Sequence, residues 1–168
     1  MTEWADERYN GNNTKLVQYT SGVSRVQFNQ ATDYAFRVIL HLAASPPGEI
    51  VNGQTIAQRE QIPLGFLQKI MRALAGGGLV RSYRGAEGGF QLAKDSGDIS
   101  LLDVVTIMEG QVNIHRCLDE KESCNKRCGN MCPVHEALAH IQRGFVEGLG
   151  KVRFSQLAEN YQHKEEKA

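Results

Sequence analysis

The chain has 168 residues, 41% of them hydrophobic, and a formal net charge of zero. That length suits one packed domain, or one domain with an added helical arm, and the neutral balance excludes a global electrostatic pull towards nucleic acid. The chain does not open with a basic stretch followed by an apolar one, and no run approaches the roughly 18 apolar residues of a membrane helix, so a cytosolic protein with no membrane partner is expected.

Residues 1–26 are polar and without period, and a flexible arm is expected there. The pattern then changes. Ala35, Val38, Ile39 and Leu42 recur at helical spacing and form one apolar face, and "PPGE" at 46–49 ends that helix. "GQTIAQREQI" at 53–62 reads as a short helix. A longer helix follows from Pro63, whose missing N–H costs nothing at a first helical position. Leu67, Ile70, Met71 and Leu74 make its inner face, Gln68, Lys69 and Arg72 point the other way, and Gly76–Gly78 stop it. Two strands at 79–84 and 89–93 are joined by a Gly-rich turn. A helix at 99–110 has Ser100 as its expected cap. Beyond the cysteine-rich loop, Val134, Leu138, Ile141, Phe145 and Leu149 recur at steps of three and four, a seam suited to pairing with another helix. Leu157 falls in a short last helix, and the charged tail is expected to fray.

Helix, short helix, turn, longer helix and hairpin is the order of a winged helix–turn–helix, whose longer helix fits a DNA major groove. From Arg59 to Arg84 five basic residues stand against Glu60 alone, a local net charge of +4 in a neutral protein. The basic segment coincides with the reading helix and the wing, so Gln68, Lys69, Arg72, Arg81 and Arg84 are the candidate DNA-binding residues. A small helical domain with a solvated basic face is the plainer alternative. "GAEGG" is not a dinucleotide fingerprint, because the strand follows the glycines where a helix is required. No nucleophile–base pair is evident, so no enzyme is expected.

All four cysteines lie in "RCLDEKESCNKRCGNMCPVH", Arg116 to His135, spaced C-x₆-C-x₃-C-x₃-C. A cytosolic setting disfavours structural disulfides. The absence of a Cys-x-x-Cys pair disfavours a zinc knot, with Cys132-Pro-Val-His135 the nearest approach, and leaves a zinc-binding interaction module as an alternative. Pro133 is expected to open a helix with Cys132 at its N-cap, where the helix end favours a thiolate, and Arg116, Lys121, Lys126 and Arg127 add positive charge. Those features suit an iron–sulfur cluster and a peroxide-sensitive thiol switch equally.

"TDYAFRVILHLA", "IPLGFLQKIMRALAGGGLVRSYRGAEGGFQLA", "ISLLDVVTIMEG" and the loop ending "CPVH" resemble, in that order, the Rrf2 (Rrf-two) family of bacterial transcription regulators, from about Val26 to Asn160. The resemblance implies a mainly α fold with a small β-hairpin wing: a winged helix–turn–helix plus a long dimerisation helix, acting as a homodimer on a double-stranded DNA operator. It divides the chain into an arm at 1–26, a DNA-binding unit at 27–96, a linking helix at 97–114, a cluster-binding loop at 115–135, dimerisation and C-terminal helices at 133–160, and a tail at 161–168. It also implies an iron–sulfur cluster, [2Fe-2S] or [4Fe-4S], held by Cys117, Cys124 and Cys132, with Cys128 in excess. The fourth ligand differs between branches: His135 occupies the place used in the assembly-regulator branch, and Asp33 the place used in the nitric-oxide-sensing branch. Closeness in sequence favours His135.

Overall fold

The computed structural model describes residues 28–85, 88–119 and 131–165, with two short strands upstream, β1 (Arg8–Tyr9) and β2 (Lys15–Leu16), which pair antiparallel. The other residues of the expected N-terminal arm, the tip of the wing, most of the cysteine loop and the last three residues lie outside the described set.

Helix α1 (Gln30–Ala44) runs through the centre of the fold. Asn29 caps it, its Oδ1 accepting from the Thr32 N–H at 3.0 Å. Ala35, Val38, Ile39 and Leu42 are buried, as their spacing predicts. Thr32 is also buried. Its hydroxyl donates to Glu109 Oε1 at 2.6 Å, and the Asn29 N–H donates to the same oxygen at 2.8 Å. One carboxylate from a later helix thus ties down the start of α1.

Helix α2 (Gly53–Arg59) ends three residues before the expected limit. The Gln61 N–H donates to the Gln58 carbonyl and the Ile62 N–H to the Ala57 carbonyl, at 3.3 and 2.9 Å. This is the bond pattern of a Schellman turn, and it places Gln61 at φ 53°, where glycine is the usual residue. Gln61→Gly is therefore expected to raise stability by about 0.5–1 kcal/mol, the left-handed strain of a side chain less the extra freedom of glycine when unfolded. Urea unfolding checks the sign, and a loss of stability contradicts the strain argument.

Helix α3 (Leu64–Gly76) buries Leu67, Ile70, Met71 and Leu74. Pro63 is its N-cap, one place earlier than expected. The helix closes on a second Schellman turn with Gly78 at φ 73°, and the Leu79 N–H reaches the Leu74 carbonyl at 3.0 Å. Strands β3 (Val80–Tyr83) and β4 (Gly89–Leu92) then form an antiparallel hairpin in the register Val80↔Leu92 to Tyr83↔Gly89. Val51 adds a third, one-residue strand: its N–H and carbonyl both bond Phe90 at 2.9 Å. A side chain at Gly89 would overlap the Val51 backbone, so the close approach requires glycine there.

After a 3₁₀ turn at Ser96–Asp98 comes α4 (Leu101–Glu109). Ser100 caps it as expected, and the cap is reciprocal: Ser100 Oγ accepts from the Asp103 N–H, and the Ser100 N–H donates to Asp103 Oδ2 at 2.7 Å. Helix α5 (Arg116–Asp119) is one turn. Helix α6 (Pro133–Lys151) has Cys132 at its N-cap and Pro133 in its first turn, as expected, yet none of its residues is buried. Helix α7 (Phe154–Glu165) runs past the expected limit at Asn160 and packs along α1. Bonds from the Leu101 N–H to the Val152 carbonyl and from the Phe154 N–H to the Ile99 carbonyl stitch the α6–α7 junction to the start of α4. No helix among the described residues is long and apolar enough to cross a membrane.

Candidate DNA interface and cysteine-rich loop

Gln68, Lys69 and Arg72 are all exposed on α3, opposite its buried face. Arg81 and Arg84 are exposed on β3 and just beyond it, beside the tip of the wing. Arg81 sits opposite Gln91, whose Oε1 accepts from the Tyr83 hydroxyl at 2.9 Å, so the hairpin is braced on the strand that carries the arginines.

A group of side chains from α1 holds the turn between α2 and α3. Arg37 Nη2 bonds Asp33 Oδ2 at 2.7 Å, while Nη1 donates to the Glu60 carbonyl at 3.3 Å. Its guanidinium lies 5.3 Å from the centre of the Tyr34 ring, and Tyr34 meets Phe66 of α3 edge-on at 5.6 Å. His41 Nδ1 and Glu60 Oε1 lie 2.8 Å apart, with side chains only 9% and 16% exposed. Asp33, a candidate ligand, is thus engaged by Arg37 in this structure. The i, i+4 spacing of the pair was the sequence signal for it.

In the loop, the structure describes Cys117 on α5 and Cys132 at the α6 N-cap. Both are half-buried and neither is in a disulfide. His135 follows in the first turn of α6, also half-buried. Cys124, Cys128, Lys121, Lys126 and Arg127 lie outside the described residues. Among the described residues, no three of His, Cys, Asp or Glu gather as a metal site. His115 was not singled out from the sequence: its Nδ1 lies 3.0 Å from Cys117 Sγ and accepts the Cys117 N–H at 3.3 Å. The His-x-Cys spacing was the signal that could have found it. Gln142 of α6 clamps the loop entrance, accepting the Ile114 N–H at 3.1 Å and donating to Asn113 Oδ1 at 3.2 Å. At the far end of α6, the hydrogen bond from Lys151 and then its charge hold the exposed Glu147 carboxyl below its ordinary value.

A family model described as Rrf2, iron-dependent transcriptional regulator, matches residues 28–160. The chain belongs to the Rrf2 family. The Rrf2 match begins at Phe28, downstream of the β1–β2 pair. The chain is 38% identical over 110 residues to the transcriptional regulator NsrR of Bacillus subtilis, covering 64% of this chain and 75% of that one. It is 29% identical over 127 residues to the regulator IscR of Xenorhabdus nematophila, covering 76% of each. Among solved structures it resembles CymR, the global cysteine regulator of B. subtilis, with a TM-score of 0.64 at 21% identity over 81% of this chain and 98% of that one. It also resembles IscR of T. potens, with a TM-score of 0.63 at 20% identity over 81% and 88%. These likenesses bear out the winged-helix fold. As an Rrf2 protein the chain is a DNA-binding transcriptional regulator, and its relatives are regulators, not enzymes.

Proposed function

We propose that this Rrf2 regulator is a cytosolic homodimer whose affinity for its operator is set by an iron–sulfur cluster in the loop 117–135. The observation that carries the reading is the position of Cys132. It is both a candidate ligand and the N-cap of α6, a 19-residue helix with no buried residue and an apolar stripe on which Val134 and Ile141 are 65% and 58% exposed. A stripe of that kind calls for a second helix, and a second copy of α6 supplies one with the same pattern.

The donor chemistry fits the group. Cys117 and Cys132 are thiols outside any disulfide at the two ends of the loop, and soft thiolates hold iron–sulfur clusters. Cys124 or Cys128 would complete three thiolates, with His135 or the partner subunit's Asp33 as the fourth ligand. Such a cluster, when bound, supplies a centre sensitive to redox state and nitric oxide. The protein does the rest. Cys132 passes a shift of the loop into α6, Gln142 keeps the loop entrance on that helix, and the α6–α7 junction passes the shift to α4 and α1. Ligation by His135 leaves the Asp33–Arg37 pair intact, whereas recruitment of Asp33 frees Arg37 from it and loosens the clamp on the α2–α3 turn.

The test is purification without oxygen, a visible spectrum, and iron and sulfide counts on the wild type and on Cys128→Ala, Asp33→Ala and His135→Ala. A coloured wild type is expected, with colour kept in Cys128→Ala and lost in His135→Ala. A colourless, iron-free protein that still binds its operator refutes the cluster. A second reading, a cluster-free regulator switched by cysteine oxidation, draws support from the likeness to CymR and from His115 beside Cys117, a base within reach of a thiol. It predicts DNA binding that responds to peroxide with no iron present.

A further inference from the structure

The outward surface of α3 is not uniformly polar. Leu64, its first residue, is 40% exposed and is not among the apolar side chains packed against the core. Phe66, the other exposed apolar side chain of that turn, is accounted for by Tyr34. Gln68 stands one turn beyond Leu64 and Arg72 a further turn on, both exposed. Residues four apart on a helix are surface neighbours, so the three form a row: apolar, amide, cation. A single exposed leucine is ordinary on a protein surface. This one opens the second helix of a helix–turn–helix, whose N-terminal residues are the ones that meet base edges.

The major groove offers a partner for each side chain in this row. Adenine presents a donor at N6 and an acceptor at N7, which match the Oε1 and Nε2 of a glutamine. Thymine presents a 5-methyl group, and guanine and cytosine carry no counterpart to it. We infer that Gln68 reads an adenine through N6 and N7, and that Leu64 packs on the 5-methyl group of a thymine within about two base pairs of it. Arg72, last in the row, falls to the phosphates. The recognised half-site therefore carries an A·T element at the N-terminal end of α3. This inference rests on the DNA-binding reading of α3 and adds its base preference.

The test uses the full-length protein, both as purified without oxygen and after removal of iron, to select a duplex from a random library. The selected duplex is remade with 7-deazaadenine for each adenine, which removes N7, and with uracil for each thymine, which removes the methyl group. One 7-deazaadenine position should weaken the wild type about tenfold and Gln68→Ala not at all. One uracil position should weaken the wild type about threefold and leave Leu64→Ala unchanged. Both residues are exposed, so both variants should fold. Equal losses in wild type and variants, or no responsive position, overturn the inference while DNA binding stands. A protein that selects no duplex in either state overturns the DNA-binding reading, and the inference falls with it.

Discussion

Phe154→Ala is expected to lower the stability of the protein by about 3–5 kcal/mol, the usual loss for emptying a buried aromatic site. Phe154 is 1% exposed, belongs to the main hydrophobic core, and has its ring 6.5 Å from that of Phe36 on α1. It also opens α7, and its N–H bonds the Ile99 carbonyl. Deleting the ring therefore removes the anchor by which the last helix closes the core over α1. Relaxation around the hole is limited, because α1 is held on other sides by α3 and α4. Urea unfolding should show an earlier midpoint at unchanged slope. A loss under about 1 kcal/mol, no more than an ordinary surface change, contradicts this account.

The second large effect concerns DNA. The double variant Arg72→Ala, Arg84→Ala should bind operator about 25-fold more weakly at physiological salt, because each lost phosphate contact is worth about fivefold there. The slope of log affinity against log salt should flatten by about one unit per lost contact. Both side chains are exposed, one on α3 and one beside the wing tip, so stability should be unaffected. Iron content should also be unchanged, which separates a defect in DNA contact from a defect in the loop. An unchanged salt slope removes these two residues from the interface.

The inner faces of α1 and α3 were legible because the 3.6-residue period marks them directly, and the Ser100 cap and the glycine ends of the wing were legible because each residue type has one dominant structural use. The end of α2 was not legible. Its left-handed position holds Gln61, where the usual signal is glycine. The Val51 strand is one residue long, too short for any period. Helix α7 outruns its sequence signal because, among its described residues, only Phe154, at its very start, and Ala158 are buried. In the site, exposure of Gln68, Lys69, Arg72, Arg81 and Arg84 followed from pattern and charge alone. The hold of Glu109 on Asn29 and Thr32 joins residues 80 and 77 positions apart, a relation with no local trace. The spacing of the cysteines narrowed the chemistry of the loop, but which donors converge is a matter of three dimensions.

The two backbone bonds between Val51 and Phe90 carry one more consequence. Val51 lies just before α2, and Phe90 lies in the wing, so the helix–turn–helix and the wing share a sewn edge. In the proposed homodimer, each copy would then resemble one jaw of a caliper, its reading helix and wing held to each other by that edge. A different spacing between half-sites would be met at the slide, where the two copies join, rather than by bending the jaw.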